Sequence, residues 1–352
     1  MRCTIWTCRP QDEIGGLQRQ VEQLKVDLLR HLAFEQVNVV EPTLRSPLIK
    51  RAGLPDYEAS AVTLEGLLDE GTSIIYCARL FDGLERAQLR RLARFAQRVP
   101  IVIRCPTTDD ARRATRALAE MPPQHSSTMF FHCLNDRSAQ VLRRNCEVRQ
   151  LIIKPNTSTP RRAAEDALSS SRPEPWFVYC GRAAASKNLS ALCQAWPVSG
   201  SSRTLRLYGP NELKNFQEPM SNICYCGRYT GKPPFRFGDI VFLPSFREGH
   251  PNVLVEAFKT GAIVVGSDIA GVREHLSDGR GVTIPRPLDI KSISEAIGMC
   301  VSLSSAERAA IGLRAIGYFN DHFSSKLSSA AASVAHVLKL DQMARNPNLQ
   351  PK

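Results

Sequence analysis

The stretch from Asp239 to His275, DIVFLPSFREGHPNVLVEAFKTGAIVVGSDIAGVREH, leaves a chain little choice of fold. Ile240 to Leu243 is a short apolar run stopped by Pro244, and Ile263 to Val265 is a second, β-branched run preceded by Gly261. Between them Val253, Leu254, Ala257 and Phe258 recur at helical spacing. Two buried parallel strands joined by a crossover helix accommodate that order. Such a unit carries SFREGHPN at the carboxyl end of a strand and at a helix N-terminus, where open α/β sheets bind ligands and backbone N–H groups receive anions or hydroxyls. Glu248 then lies in the loop and Glu256, with seven residues between them, lies in the helix. One carboxylate can meet the reacting part of a ligand while the other meets a more distant part. Two bare glutamates at this distance are more often solvated surface charges; the surrounding strand, loop and helix make them a candidate site.

A chain of 352 residues with 43% hydrophobic composition is long enough for two buried cores. The balance of 46 basic against 34 acidic residues gives +12, which suits an anionic ligand, an anionic membrane surface or nucleic acid. Nucleic acid is disfavoured, because neither aromatic-basic interleaving nor a recognition helix is present. The eleven cysteines are scattered, mostly inside apolar runs, and the start MRCTIWTCRP has no apolar leader region. Buried free thiols in a reducing cytosol are therefore expected. Cys224 and Cys226 alternate along a strand instead of forming a C-x-x-C pair, and no D-x-D follows a strand, so no metal site is predicted. No stretch approaches the ~20 apolar residues of a membrane span.

Along the first half, Cys3 to Thr7 reads as a strand, and Leu17, Val21, Leu24, Leu28 and Leu32 mark an amphipathic helix after the paired Gly15 and Gly16, which let backbone approach a ligand. Further strands are predicted at Val37 to Val40, Ser73 to Cys77, Pro100 to Arg104, Thr128 to Cys133 and Leu151 to Lys154, with helical patterns at Glu85 to Gln97 and Ser138 to Arg144. That alternation predicts a parallel sheet with helices on both faces. Arg86, Arg90, Arg91, Arg94 and Arg98 fall at steps that make a cationic stripe, either a solvated helix face or a peripheral contact with anionic membrane. From Pro160 to Pro175 the composition turns to Pro, Ser and charge, which predicts a linker over residues 161–175 between a domain of residues 1–160 and one of residues 176–325. In the second domain the strand FVYC delivers Gly181 and Arg182 into a loop that carries Lys187. Arg182 can fork two phosphate oxygens there and Lys187 adds a point charge. Another strand, Ile223 to Cys226, ends at Gly227 and Arg228. Residues 326–352 are read as a last helix, Ser328 to Leu340, and a polar tail.

Glu248-Gly249 and Glu256-Ala257, with Pro244-Ser245, Gly261 and Ser267-Asp268, resemble the E-x7-E signature of retaining glycosyltransferases of family 4. The resemblance covers Phe177 to Leu340 closely and the first half loosely. It implies an α/β fold of the GT-B type, two doubly wound Rossmann-like domains facing a cleft, with the last helix crossing back to the first domain. It further implies a metal-independent hexosyltransferase moving a sugar with retention from a UDP- or GDP-sugar to a glycan, lipid-linked or other acceptor, with no cofactor besides that donor. In this family Arg182 and Lys187 would hold the pyrophosphate beside Gly181, Glu248 the sugar hydroxyls and Glu256 the ribose. Gly227 and Arg228, with Tyr229, would cradle the base; Gly249, His250, Asn252 and Val253 would line the loop and helix start; and Gly15 and Gly16 would face the donor phosphates. Two departures stand out. The strand Ile101 to Arg104 lacks the histidine many members carry, leaving Arg104 or Thr107 to present a polar group, and Asn156 is followed by Thr157 where an Asn-Gly turn is common. A non-catalytic nucleotide-sugar-binding protein, or another GT-B enzyme such as an epimerase or a phosphorylase, is the alternative.

Overall fold

A computed structural model describes residues 1–6, 16–40, 71–78, 89, 92, 93, 95, 96, 98–121, 129–147, 150–160, 171–216, 222–229 and 232–345. Gly15, most of the predicted linker, and Arg86, Arg90, Arg91 and Arg94 of the cationic stripe lie outside them. The chain divides into two compact units, one of Met1–Pro155 with Leu327–Lys352 and one of Asn156–Lys326. No described helix is long and apolar enough to cross a membrane.

The first unit opens with β1 (Arg2–Trp6), α1 (Gly16–His31) and β2 (Gln36–Val40), followed by β3 (Ile74–Cys77) and β4 (Ile101–Cys105). It continues with α2 (Thr108–Leu118), β5 (Met129–Cys133), α3 (Asp136–Leu142) and β6 (Leu151–Ile153). All strands run parallel in the order β2-β1-β3-β4-β5-β6. Every residue of β3 and β4 is buried, as strands covered on both faces must be. On one face Ile74, Tyr76 and Val102 pack with Val21, Leu24 and Leu28 of α1 and with Ala331 and Val334 of the late helix described below. On the other, Ile75, Ile101 and Ile103 pack with Leu89, Leu92 and Phe95 and with the alanines of α2. Thr107 is absorbed in starting α2: its hydroxyl accepts from the Asp110 amide and its own amide donates to the Asp110 carboxylate, both at 3.1 Å, a capping box.

The second unit contains β7 (Phe177–Cys180), a 3₁₀ turn (Ala185–Lys187), α4 (Leu189–Val198), β8 (Leu205–Tyr208), a second 3₁₀ segment (Asn211–Phe216) and β9 (Ile223–Tyr225). Then come β10 (Ile240–Leu243), α5 (Asn252–Thr260), β11 (Ile263–Ser267), α6 (Arg273–Leu276), β12 (Gly281–Ile284), α7 (Ile290–Ser302) and α8 (Ser305–His322). The final helix, α9 (Ser329–Arg345), returns to the first unit, where Asp27 of α1 accepts the Ser328 amide at 2.7 Å. The sheet of the second unit is again parallel, in the order β12-β11-β10-β7-β8-β9. After β7 the chain builds outward through β8 and β9, then jumps back to place β10 on the other side of β7. The sheet therefore has its topological switch point between β7 and β10, where a crevice opens at the carboxyl ends of the strands.

The opposite, amino ends of β7 and β10 are tied by Asp239, whose side chain is fully buried. It accepts from the amides of Trp176 and Arg236, both at 2.8 Å, and from Arg172 Nε at 3.2 Å. Burial raises its carboxyl pKa, and the three donors oppose that shift. Above this lock Phe177, Trp196 and Phe242 pack with ring centroids 5.6 to 6.4 Å apart. The described cysteines are all free thiols.

Candidate functional site

Because β7 and β10 are neighbours, the loops that leave them meet. The amide of Phe246 donates to the Ser186 carbonyl at 2.8 Å, which seats the loop after β10 on the 3₁₀ turn after β7. Across this seam Lys187 Nζ lies 2.5 Å from Glu248 Oε1, and the Ser245 hydroxyl donates to the same oxygen at 2.7 Å. Both charged side chains are partly buried, Lys187 to 24% exposure and Glu248 to 9%. The pairing unites two residues 61 positions apart. Part of the attraction survives because water screens such a half-buried pair less than an exposed one.

Arg182 begins the same loop, and its side chain is exposed. Its carbonyl accepts the buried Tyr179 hydroxyl at 2.7 Å, which fixes the backbone beside Gly181. Burial, and then the Glu248 carboxylate, raise the Tyr179 pKa, so this phenol stays a neutral donor. The Glu248 loop leads into α5 through Pro251, which supplies no side-chain cap, so Asn252 and Val253 open the first turn of an uncapped nine-residue helix. Behind the loop stands Gly271, at φ +82°. A Cβ there would meet the Gly249 carbonyl oxygen at 2.2 Å and the Glu248 carbonyl oxygen at 3.0 Å, so only glycine lets the loop lie down.

Glu256 is held separately. The Tyr229 hydroxyl donates to its Oε2 at 2.9 Å, linking α5 to the turn after β9. That turn is made by Gly227 at φ +85°, whose carbonyl accepts the Gly209 amide at 3.0 Å, and Arg228 beside it is exposed. Glu248 and Glu256 thus lie in two pockets of polar contact on one crevice rim, one shared with β7 and the other with β9.

His250 differs from its neighbours. Its side chain is turned inward, 4% of the residue is exposed, and its ring meets those of His275 and Phe323 edge to face at 4.8 Å each. Among the described residues neither ring nitrogen has a hydrogen-bond partner. Burial pushes its pKa well below the usual imidazole value, and pushes that of His275 down to about 4, so both rings are neutral. The His250 side chain is therefore enclosed and does not face solvent. Of the first unit, Gly16 opens α1, and Arg104 is buried near the end of β4, opposite His132 in register. His132 is enclosed, bonded to the Tyr76 hydroxyl and the Lys154 carbonyl at 2.9 Å each.

Of the residues predicted from sequence, the structure brings Lys187 and Glu248 into contact and places Arg182 at the start of the same loop. The sequence reading passed over Ser245 as a partner of Glu248, though a hydroxyl three residues before a carboxylate in a turn is a recognisable signal.

Residues 174–302, most of the second unit, match the family described as Glycosyl transferases group 1. No curated protein sequence matches the chain significantly. Among solved structures, HepE of Anabaena in complex with UDP and glucose is similar over 96% of this chain and 99% of its own, with a TM-score of 0.66 and 14% identity. Sucrose-phosphate synthase of Thermosynechococcus elongatus is similar over 98% of each chain, with a TM-score of 0.64 and 14% identity. WaaG, a glycosyltransferase involved in lipopolysaccharide biosynthesis, is similar over 96% of this chain and 99% of its own, at 0.61 and 14%. These likenesses establish the fold, two parallel-sheet α/β domains of the GT-B type.

Proposed function

We propose that the protein is a retaining, metal-independent glycosyltransferase that moves a hexose from a nucleotide diphosphate donor to a glycan or lipid-linked acceptor. The observation that carries this reading is the Lys187–Glu248 contact at the switch point of the second sheet. It sets a cation and a carboxylate side by side beside an uncapped helix start and the exposed Arg182. As the anomeric C–O bond breaks, negative charge builds on the leaving diphosphate. Lys187, Arg182 and the first turn of α5 then stabilise that charge where it develops. Glu248, oriented by Ser245 and Lys187, accepts from sugar hydroxyls, and Glu256, steadied by Tyr229, accepts from the ribose hydroxyls. The match of residues 174–302 to group 1 glycosyl transferases supports the reading, and HepE's complexes make UDP the first nucleotide to test.

The test is incubation with a panel of UDP- and GDP-sugars, with and without chelator, followed by mass spectrometry of the products. Donor hydrolysis or transfer that persists in chelator is expected. Binding of UDP with no turnover of any donor would favour a non-catalytic nucleotide-sugar-binding protein. The carboxylates divide the roles further. Glu248→Ala should lower kcat and leave UDP affinity nearly intact, because its contacts strengthen as the sugar gains charge. Glu256→Ala should weaken UDP binding with a smaller effect on kcat. The reverse pattern would overturn both assignments.

A further inference from the structure

Two side chains distant in sequence, Asn156 and Phe323, converge on His250, two residues beyond Glu248. The Asn156 side-chain amide donates to the His250 carbonyl at 2.6 Å, a buried bond spanning 94 positions. The Phe323 ring, 1% exposed, stands edge to face on the His250 imidazole at 4.8 Å and on that of His275 at 5.3 Å. Asn156 and Phe323 in turn belong to two segments bound to each other: the Ser158 amide donates to the Phe323 carbonyl, and the Ser325 amide to the Ser158 carbonyl, both at 3.0 Å. Lys259, in the last turn of α5, ties the first segment down through Thr159 Oγ1 at 2.9 Å and Ser158 Oγ at 3.3 Å. These are the segments by which the chain enters and leaves the second unit, after Pro155 and before Leu327.

From this convergence we infer that Asn156 and Phe323 are positioning residues for the Glu248–Gly249–His250 loop, holding the catalytic carboxylate in register from behind through His250. The inference rests on the proposed role of Glu248. The start of the loop is held by the Phe246–Ser186 bond and by Lys187 and Ser245 on Glu248, with Gly271 behind it. The bond to the His250 carbonyl and the Phe323 ring against the imidazole hold its other end. Because the same two segments pair with each other, strain at either one reaches the loop that carries Glu248.

The test compares the full-length protein with Asn156→Asp, which keeps the shape and replaces the donor by an acceptor, and with Phe323→Leu. The first readout is hydrogen–deuterium exchange without substrate. The amides of Glu248, Gly249, His250 and Asn252 should exchange about tenfold faster in Asn156→Asp, the size of one lost buried hydrogen bond, and several-fold faster in Phe323→Leu, while residues 223–229 stay unchanged. The second is kinetic: kcat for donor turnover should fall by a similar factor with the Kd for UDP unaltered. Unchanged exchange at residues 248–252 overturns the inference. So does uniform acceleration across the second unit, or failure of both variants to fold, because each assigns the two residues to stability alone. Exchange does not depend on turnover, so an inactive wild-type protein would refute the proposed function while leaving the positioning role measurable.

Discussion

In the first unit, His132 is bonded to the Tyr76 hydroxyl and to the Lys154 carbonyl, deep in a sheet whose central strands are buried on both faces. In the second, Lys187 and Glu248 are bonded across two loops and stay partly open to solvent. The sheets share a parallel arrangement of six strands, yet they place their strand-end polar groups differently. Enclosed polar groups that satisfy one another hold a structure together. Paired groups left within reach of a ligand can exchange their partner for it.

The largest effect that would sharpen this contrast lies within the second unit itself. Asp239 belongs to the enclosed kind, so Asp239→Ala, which strands Arg172 and two amides, should cost about 3–5 kcal/mol in urea unfolding. Glu248→Ala should cost clearly less by the same measurement, because Lys187, 24% exposed, can turn to solvent when its partner is removed. Equal losses would break the distinction. Next in size, Lys187→Ala should reduce kcat by roughly tenfold to a hundredfold, the worth of one hydrogen bond to a charged group. Tyr76→Phe in the first unit should leave kcat and UDP affinity untouched.

Acid titration separates the two kinds of site by another route. His275 and His250 have folded pKa values below the ordinary imidazole value, so the unfolded chain binds more protons at mildly acid pH. Their contribution is therefore complete above about pH 6.5 and is lost as pH falls towards 4, with a steepest slope of about 1.4 kcal/mol per pH unit for each ring. Chemical unfolding at pH 7, 6 and 5 measures it. His250→Phe should flatten that slope without lowering stability at pH 7, because no hydrogen bond of the ring is lost. The smallest effect concerns the far carboxylate: Tyr229→Phe should weaken UDP binding several-fold, within the ~0.5–1.5 kcal/mol of one hydrogen bond, and leave kcat alone.

Much of this was legible in the chain. The strands of both sheets announce themselves as β-branched and apolar runs between breakers, and the Glu248 loop was readable because Pro244 and Gly261 bracket it. Helix α2 was harder. It buries Ala111, Ala114 and Ala117, whose small side chains leave a weak periodic signal beside three arginines. Thr107, a candidate for the site on sequence, is taken up by the capping box, as its spacing to Asp110 could have shown. The inward turn of His250 was not legible, because it depends on Phe323 and Asn156, 73 and 94 positions away, meeting at one residue. Pairings of that range are set by the closing of the whole sheet, and no local pattern carries them.

The return of α9 to the first unit bears on the order in which the protein can be made. Ala330, Ala331, Val334 and Val337 fill the same core as Ile5, Leu24 and Tyr76. On the ribosome, the amino-terminal sheet therefore emerges first, and the part of this face that α1 leaves open stays exposed until α9 has been synthesised. The second unit, contiguous in sequence, has all its strands before then.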